Sequence, residues 1–140
     1  MSTRSTLILA VAITLALAAC GERQVSYHRD VAPILQTECA VCHLPGRAGY
    51  IKSGFSVATY ADVMKGTRYG RVIIPGDALS STLVRLIRHQ ADPTINMPKK
   101  FSVLSTEHEQ IVLPAKSART MSEYDVNIIA AWVNQGAKDN

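Results

Sequence analysis

The sequence predicts a small all-α domain of about four to five helices, with a loop or hairpin insert before the C-terminal helix. Three observations carry this. Val126, Ile129, Trp132 and Val133, with Ile128 beside them, recur at helical spacing and make one apolar face. Leu83, Val84, Leu86 and Ile87 repeat the pattern, with Arg85, Arg88 and His89 on the outward side. Ser122 stands ahead of the first run and Gly136 behind it, and Ser80 and Ser81 stand ahead of the second; Ser starts helices and Gly stops them.

Taken in order, Glu22 to Val25 reads as a short polar tether and Ser26 as the start of the folded part. Pro33 is excluded from a helix interior but suits a first turn. A helix is therefore expected to begin close to it, with Asp30 as N-cap, and to run through Ile34-Leu35-Gln36-Thr37-Glu38. Leu44 to Gly54, rich in Gly with one Pro, reads as a loop. Thr59 caps and Gly66 stops a short helix in which Tyr60, Val63 and Met64 share the apolar side, Met64 as a packing residue. Val72-Ile73-Ile74 ends in the turn Pro75-Gly76-Asp77, after which Ser80 or Ser81 caps the next helix. The last helix opens on Ser122 with Asp125, a capping box with Asp in the usual Glu place, and stops at Gly136. Before it, Phe101-Ser102-Val103-Leu104 and Gln110-Ile111-Val112-Leu113 either pair as a hairpin or place the second run in a short helix.

The chemistry is concentrated in Cys39-Ala40-Val41-Cys42-His43. Two thiols three residues apart reach one edge of a porphyrin while the adjacent imidazole turns toward its iron, which is the c-type haem attachment pattern. A redox-active disulfide of the same spacing normally follows a strand and opens a helix, whereas this one follows the apolar pattern Val31, Ile34, Leu35. A structural zinc site needs four ligands, and the other histidines are scattered at His28, His89 and His108. One covalently bound haem c is expected, held by Cys39 and Cys42 with His43 as an axial ligand.

The chain also carries an address. Arg4 is followed by Leu7 to Ala19 without a charge, too short to span a bilayer and right for the apolar part of a secretory signal. Leu17-Ala18-Ala19-Cys20-Gly21 resembles the lipobox of bacterial lipoproteins, which implies cleavage after Ala19 and lipidation of Cys20. The expected organisation is thus a signal peptide over 1–19, an acylated tether over 20–25 and the haem domain over 26–140. Three cysteines in an exported chain would leave an odd thiol; lipid takes one and haem takes two. Acyl chains hold a protein at a membrane surface without a spanning helix, so an extracytoplasmic, lipid-anchored protein facing the periplasm is expected. Gly21 favours the outer membrane by analogy with lipoproteins.

Loss of Arg4 with the signal lowers the formal charge from +4 to +3, and haem propionates bring it close to neutral. The basic residues are dispersed without aromatic interleaving, which argues against nucleic acid as a partner.

Ile95-Asn96-Met97-Pro98 supplies the second axial ligand. Proline disfavours helical dihedrals in the residue before it, so Met97 is held extended on a loop where its thioether is presented. Soft thioether sulfur suits low-spin haem, and a His/Met pair raises the reduction potential. His28, His89 and His108 are the rivals, each in a polar context, and His89 near a helix C-terminus is accounted for by the dipole. Arg68, Tyr69 and Arg71, in a Gly-bounded loop, combine paired cations with a phenol donor and are the candidates for propionate binding, against the alternative of a solvated basic loop.

From Tyr27 to Ala137 the chain resembles the planctomycete-type monohaem cytochrome c domain, a branch of the class I cytochrome c fold. The resemblance rests on Arg29-Asp30-Val31-Ala32-Pro33-Ile34-Leu35 ahead of the haem motif, then Tyr60-Ala61-Asp62-Val63-Met64-Lys65-Gly66 and Val72-Ile73-Ile74-Pro75-Gly76-Asp77. It continues through Ser81-Thr82-Leu83, Met97-Pro98, Ile128-Ile129-Ala130-Ala131-Trp132-Val133 and Gly136-Ala137. It implies thioether bonds at Cys39 and Cys42, His43 as proximal and Met97 as distal ligand. The departure from the family lies between Pro98 and Ser122, where the family passes quickly to its last helix. This insert is a candidate for shielding the haem edge or docking a partner.

With both axial positions filled by protein there is no open position for substrate. The expected role is that of a membrane-tethered electron carrier exchanging single electrons with redox partner proteins outside the cytoplasm, with no small-molecule substrate. The alternatives are an electron-transfer subunit of a larger oxidoreductase or cytochrome assembly, and a haem enzyme or gas sensor, which needs an iron with one site open.

Overall fold

The computed structural model describes residues 22–105 and 110–140; the signal segment and Cys20 lie outside the described residues. The domain is helical with one small sheet. A π-helical turn Tyr27–Val31 runs into α1 (Ala32–Glu38), followed by α2 (Ala40–His43), α3 (Ala48–Ser53), α4 (Tyr60–Lys65) and α5 (Thr82–Ile87). An antiparallel hairpin of β1 (Lys99–Ser105) and β2 (Gln110–Ala118) then precedes α6 (Glu123–Asn134).

The N-terminal helix starts earlier than its proline suggests. The Ser26 hydroxyl accepts from Arg29 N–H, and the Asp30 carboxylate accepts from Ser26 N–H at 2.8 Å, a reciprocal cap that fixes the start at Tyr27. Asp30 is therefore not the N-cap; it sits inside the first turn and reaches back to it. A proline in the first turn shows only that a helix can pass through it, and the widened turn ahead of Pro33 satisfies Val31 N–H on Ser26 O and Ala32 N–H on Tyr27 O. Val25, expected in the tether, is already buried, with its N–H donating to Gln135 Oε1 at 2.7 Å.

Side chains of Arg29 and Arg23 and the Ser26 N–H hold the Asp30 carboxyl well below the usual carboxylate range. A group with a depressed folded pKa stabilises the fold above its unfolded pKa, here 3.8, and that contribution is lost as pH falls through the lower folded value. An Asp30→Asn variant is expected to melt below the wild type at neutral pH, with the gap closing only below about pH 4. Thermal melts of both proteins across that range check it.

Two further elements differ from expectation. The stretch Leu44 to Gly54 contains α3, one and a half turns that end where Gly54 takes φ 76° as its C-cap. Ser53 Oγ donates to Gly49 O at 2.7 Å within it, and the Gly54 N–H closes its end on Tyr50 O. The residues between Pro98 and Ser122 form the hairpin alternative, in the register Val103↔Val112 and Leu104↔Ile111. The caps at Thr59 and at Ser122 with Asp125 hold as read. Ser81 is the N-cap of α5, but its hydroxyl does not cap the helix: buried, it accepts from Ile74 N–H at 2.8 Å and donates to Asp77 O at 2.7 Å, sealing the turn at Pro75.

The core lies where α6 packs against the π-helical turn and α5. Val31, Leu35, Val63, Val84, Ile129, Trp132 and Val133 are fully buried in it or nearly so. Tyr27 and Tyr60 set their rings 5.5 and 6.4 Å from Trp132, and Trp132 Nε1 donates to Lys138 O at 2.9 Å. Leu86 is only half-buried, and Arg88 and His89 are not fully outward as the helical pattern implied.

Candidate functional site

Cys39 stands at a break in the chain, with φ −120° and ψ −31°, between the end of α1 and the start of α2. Its N–H donates to Leu35 O at 2.9 Å, and its carbonyl accepts from Cys42 N–H at 3.1 Å and His43 N–H at 2.9 Å. One tight turn thus carries both thiols and the imidazole, and the rigid helix before it sets their position.

The thiols are free and half-buried. Burial, reinforced by the neighbouring Glu38 carboxylate, pushes Cys39 up to about 12, and burial raises Cys42 as well. Attacking cysteines in disulfide exchange have depressed pKa values; burial shifts both of these thiols in the opposite direction.

His43 is held as a neutral, oriented imidazole. Burial lowers its pKa, partly opposed by the Phe55 carbonyl, so the ring is neutral at physiological pH. Its Nδ1 lies 3.3 Å from Phe55 O, and because a carbonyl only accepts, Nδ1 carries the proton and Nε2 keeps its lone pair. This is the arrangement by which a backbone carbonyl orients a metal-ligating histidine. Val57 N–H donates to His43 O at 2.9 Å and fixes the opposite strand of chain.

The room beside that ring is left by Gly49. A Cβ placed there would stand 2.8 Å from His43 Cε1, 2.9 Å from Nε2 and 2.7 Å from Cys42 O. The residues present therefore fit haem c: two neutral thiols and an oriented imidazole on one turn, with the flank of the imidazole kept clear of any side chain. Gly49→Ala is expected to cost about 1–3 kcal/mol through overpacking and to displace the His43 ring. Thermal melts and the His43 ring resonances in an NMR spectrum check it. Neither Gly49 nor the Phe55 carbonyl was identified from sequence: Gly49 was one of several loop glycines, and a backbone acceptor leaves no mark in residue identity.

Met97 is half-buried against the core, and its backbone is held by a residue of α5 on one side and by the turn after it on the other. Its N–H donates to Leu86 O at 3.1 Å, and its carbonyl accepts from His89 Nε2 at 3.2 Å. His89 is thus occupied in holding the Met97 segment. His28 is at the surface, 2.9 Å from Asp139, and His108 lies outside the described residues.

Among the propionate candidates, Arg68 lies along the surface of α3, its guanidinium donating to Ile51 O at 2.5 Å and its N–H to Ser53 O at 2.9 Å. Thr67 and Gly70 close that turn on each other. Tyr69, 82% exposed, and Arg71 lie at the surface. All three are exposed, and of them Arg68 is tied to the helix that carries Gly49. The hairpin is placed close by, with β2 packed against α2 and α3.

Residues 39–100 match the family model described as planctomycete cytochrome C. This match supports a planctomycete-type cytochrome c domain. The matched segment of this cytochrome c domain begins on the first thiol and includes His43, Gly49 and Met97; it ends at the start of β1, so most of the hairpin and all of α6 lie beyond it. No curated protein and no solved structure matches the chain. A cytochrome c domain is a haem-binding, electron-transfer module, and the thiol pair with its adjacent imidazole is the donor set such a module requires.

Proposed function

We propose that this domain is a monohaem electron carrier, held at the extracytoplasmic face of a membrane by lipidated Cys20, which passes single electrons between redox partner proteins. The observation that carries the reading is His43: neutral, oriented through Nδ1 by the Phe55 carbonyl, and flanked by a glycine. Bound haem c supplies an iron that alternates between Fe(III) and Fe(II).

The chain's own residues do the rest. Cys39 and Cys42 would hold the group by thioether bonds on the turn at the end of α1, and His43 and Met97 would ligate its iron. Filling both positions leaves no site for a reactant, so the domain transfers charge without binding substrate. The apolar residues around Phe55, Val57 and Leu35 keep water away. Arg68, Tyr69 and Arg71 are assigned to the propionates.

An optical spectrum and redox titration of the mature protein test this. The expected result is a low-spin c-type spectrum, one single-electron wave, and a haem-stained band that survives denaturing electrophoresis. A colourless product from cells that mature c-type cytochromes overturns the reading. Rapid carbon monoxide binding by the reduced native protein places the domain with haem enzymes or gas sensors instead.

A further inference from the structure

The Cys39 thiol has a pair of opposite charges beside it. Glu38, the last residue of α1, immediately precedes it, and Arg119, the residue after β2, reaches across the fold to set Nη1 2.6 Å from Glu38 Oε2. Their side chains are 18% and 32% exposed, whereas the two arginines that pair with Asp30 are 60% and 63% exposed. Both charges act on the Cys39 thiol, in opposite senses. A carboxylate in the last turn of a helix faces the negative end of the helix dipole, so local helix physics disfavours Glu38 and the partner across the fold offsets the cost.

Arg119 has a second attachment. Its N–H donates to Pro98 O at 2.8 Å, one residue beyond Met97. The register of the hairpin explains this, because Lys99 pairs with Ala118 and so brings Pro98 alongside Arg119. One residue therefore holds the Met97–Pro98 segment through its backbone and the end of α1 through its side chain. The insert that departs from the family pattern supplies this residue, and the two segments it joins are far apart in the chain.

We propose that the Glu38–Arg119 ion pair is a clasp that holds the Met97–Pro98 segment in place relative to the Cys39–His43 turn and so positions the distal thioether. The clasp rests on the reading of Met97 as distal ligand, and its two members are positioning residues that ligate nothing. An ion pair partly withdrawn from water is screened less than an exposed one, and losing one member leaves the other charge without its partner.

The test uses the full chain matured with haem, with Glu38→Gln, Arg119→Gln, these two combined, and the charge-swapped pair Glu38→Arg with Arg119→Glu. In Glu38→Gln, hydrogen exchange at the Arg119 and Met97 amides is expected to quicken by about tenfold, since the side chain that anchors Arg119 is neutralised while its amide is untouched. In the ferric protein, added imidazole is expected to displace the distal ligand with about tenfold tighter apparent binding in each single variant, and with no further gain when both are combined. The charge-swapped pair restores slow exchange, which also serves should a single variant not fold. Unaltered exchange in Glu38→Gln, or no recovery in the swapped pair when the single variants are fast, overturns the clasp. The readings separate cleanly: a wild-type protein without an Fe–S charge-transfer band removes the Met97 assignment, while the exchange arm still decides whether the ion pair ties the two segments.

Discussion

Trp132→Ala is expected to remove about 3–5 kcal/mol of stability, the usual cost of truncating a fully enclosed aromatic side chain. Trp132 is wholly buried, sits against Tyr27 and Tyr60, and gives its indole N–H to Lys138 O, so the substitution empties the crossing of α6 with the N-terminal turn and frees a carbonyl as well. Domains of this size hold only about 5–15 kcal/mol in total, so the variant sits near the edge of folding. A fall in melting temperature on the order of 10–20 °C follows, measured by circular dichroism. Trp132→Phe keeps most of the volume and loses the hydrogen bond, and is expected to fall between the two. A loss below about 1 kcal/mol for the alanine variant contradicts the placement of this residue at the centre of the core.

Met97→Ala is expected to abolish the Fe–S charge-transfer band of the oxidised protein and to lower its reduction potential by on the order of 0.1 V, within the roughly 0.8 V that axial ligation spans. Thioether sulfur stabilises the reduced iron, and its removal favours the oxidised form. The backbone of residue 97 is held by Leu86 O and His89 Nε2 whatever its side chain, so the fold and the covalent haem should survive. Spectra and potentiometry of the two proteins decide it; a retained band means another residue ligates.

The Met97 segment also shows how two features read separately in the sequence combine. His89 was read as a polar residue at a helix C-terminus, and Met97 as a thioether fixed by the proline after it. In the fold one holds the other: the imidazole of His89 donates to the Met97 carbonyl across the turn that ends α5. His89 adopts φ 55°, a conformation uncommon outside glycine, and that backbone geometry is not visible in residue identity.

Local chemistry determined a good part of this protein from sequence alone. The spacing of Cys39, Cys42 and His43, the apolar faces of α5 and α6, and the caps at Thr59 and Ser122 each depend on residues within a few positions of one another, and side-chain periodicity and hydrogen-bonding capacity fix them there. What only the tertiary structure decided depends on groups distant in the chain or on backbone atoms. The Phe55 carbonyl orients His43, Gly49 leaves its flank open, Arg119 meets Glu38, and the start of the first helix is set by Ser26 and Asp30 acting together. Carbonyls look alike in every residue, and an ion pair between positions 38 and 119 exists only once the hairpin has brought them together, so these parts of the site came into view only with the fold.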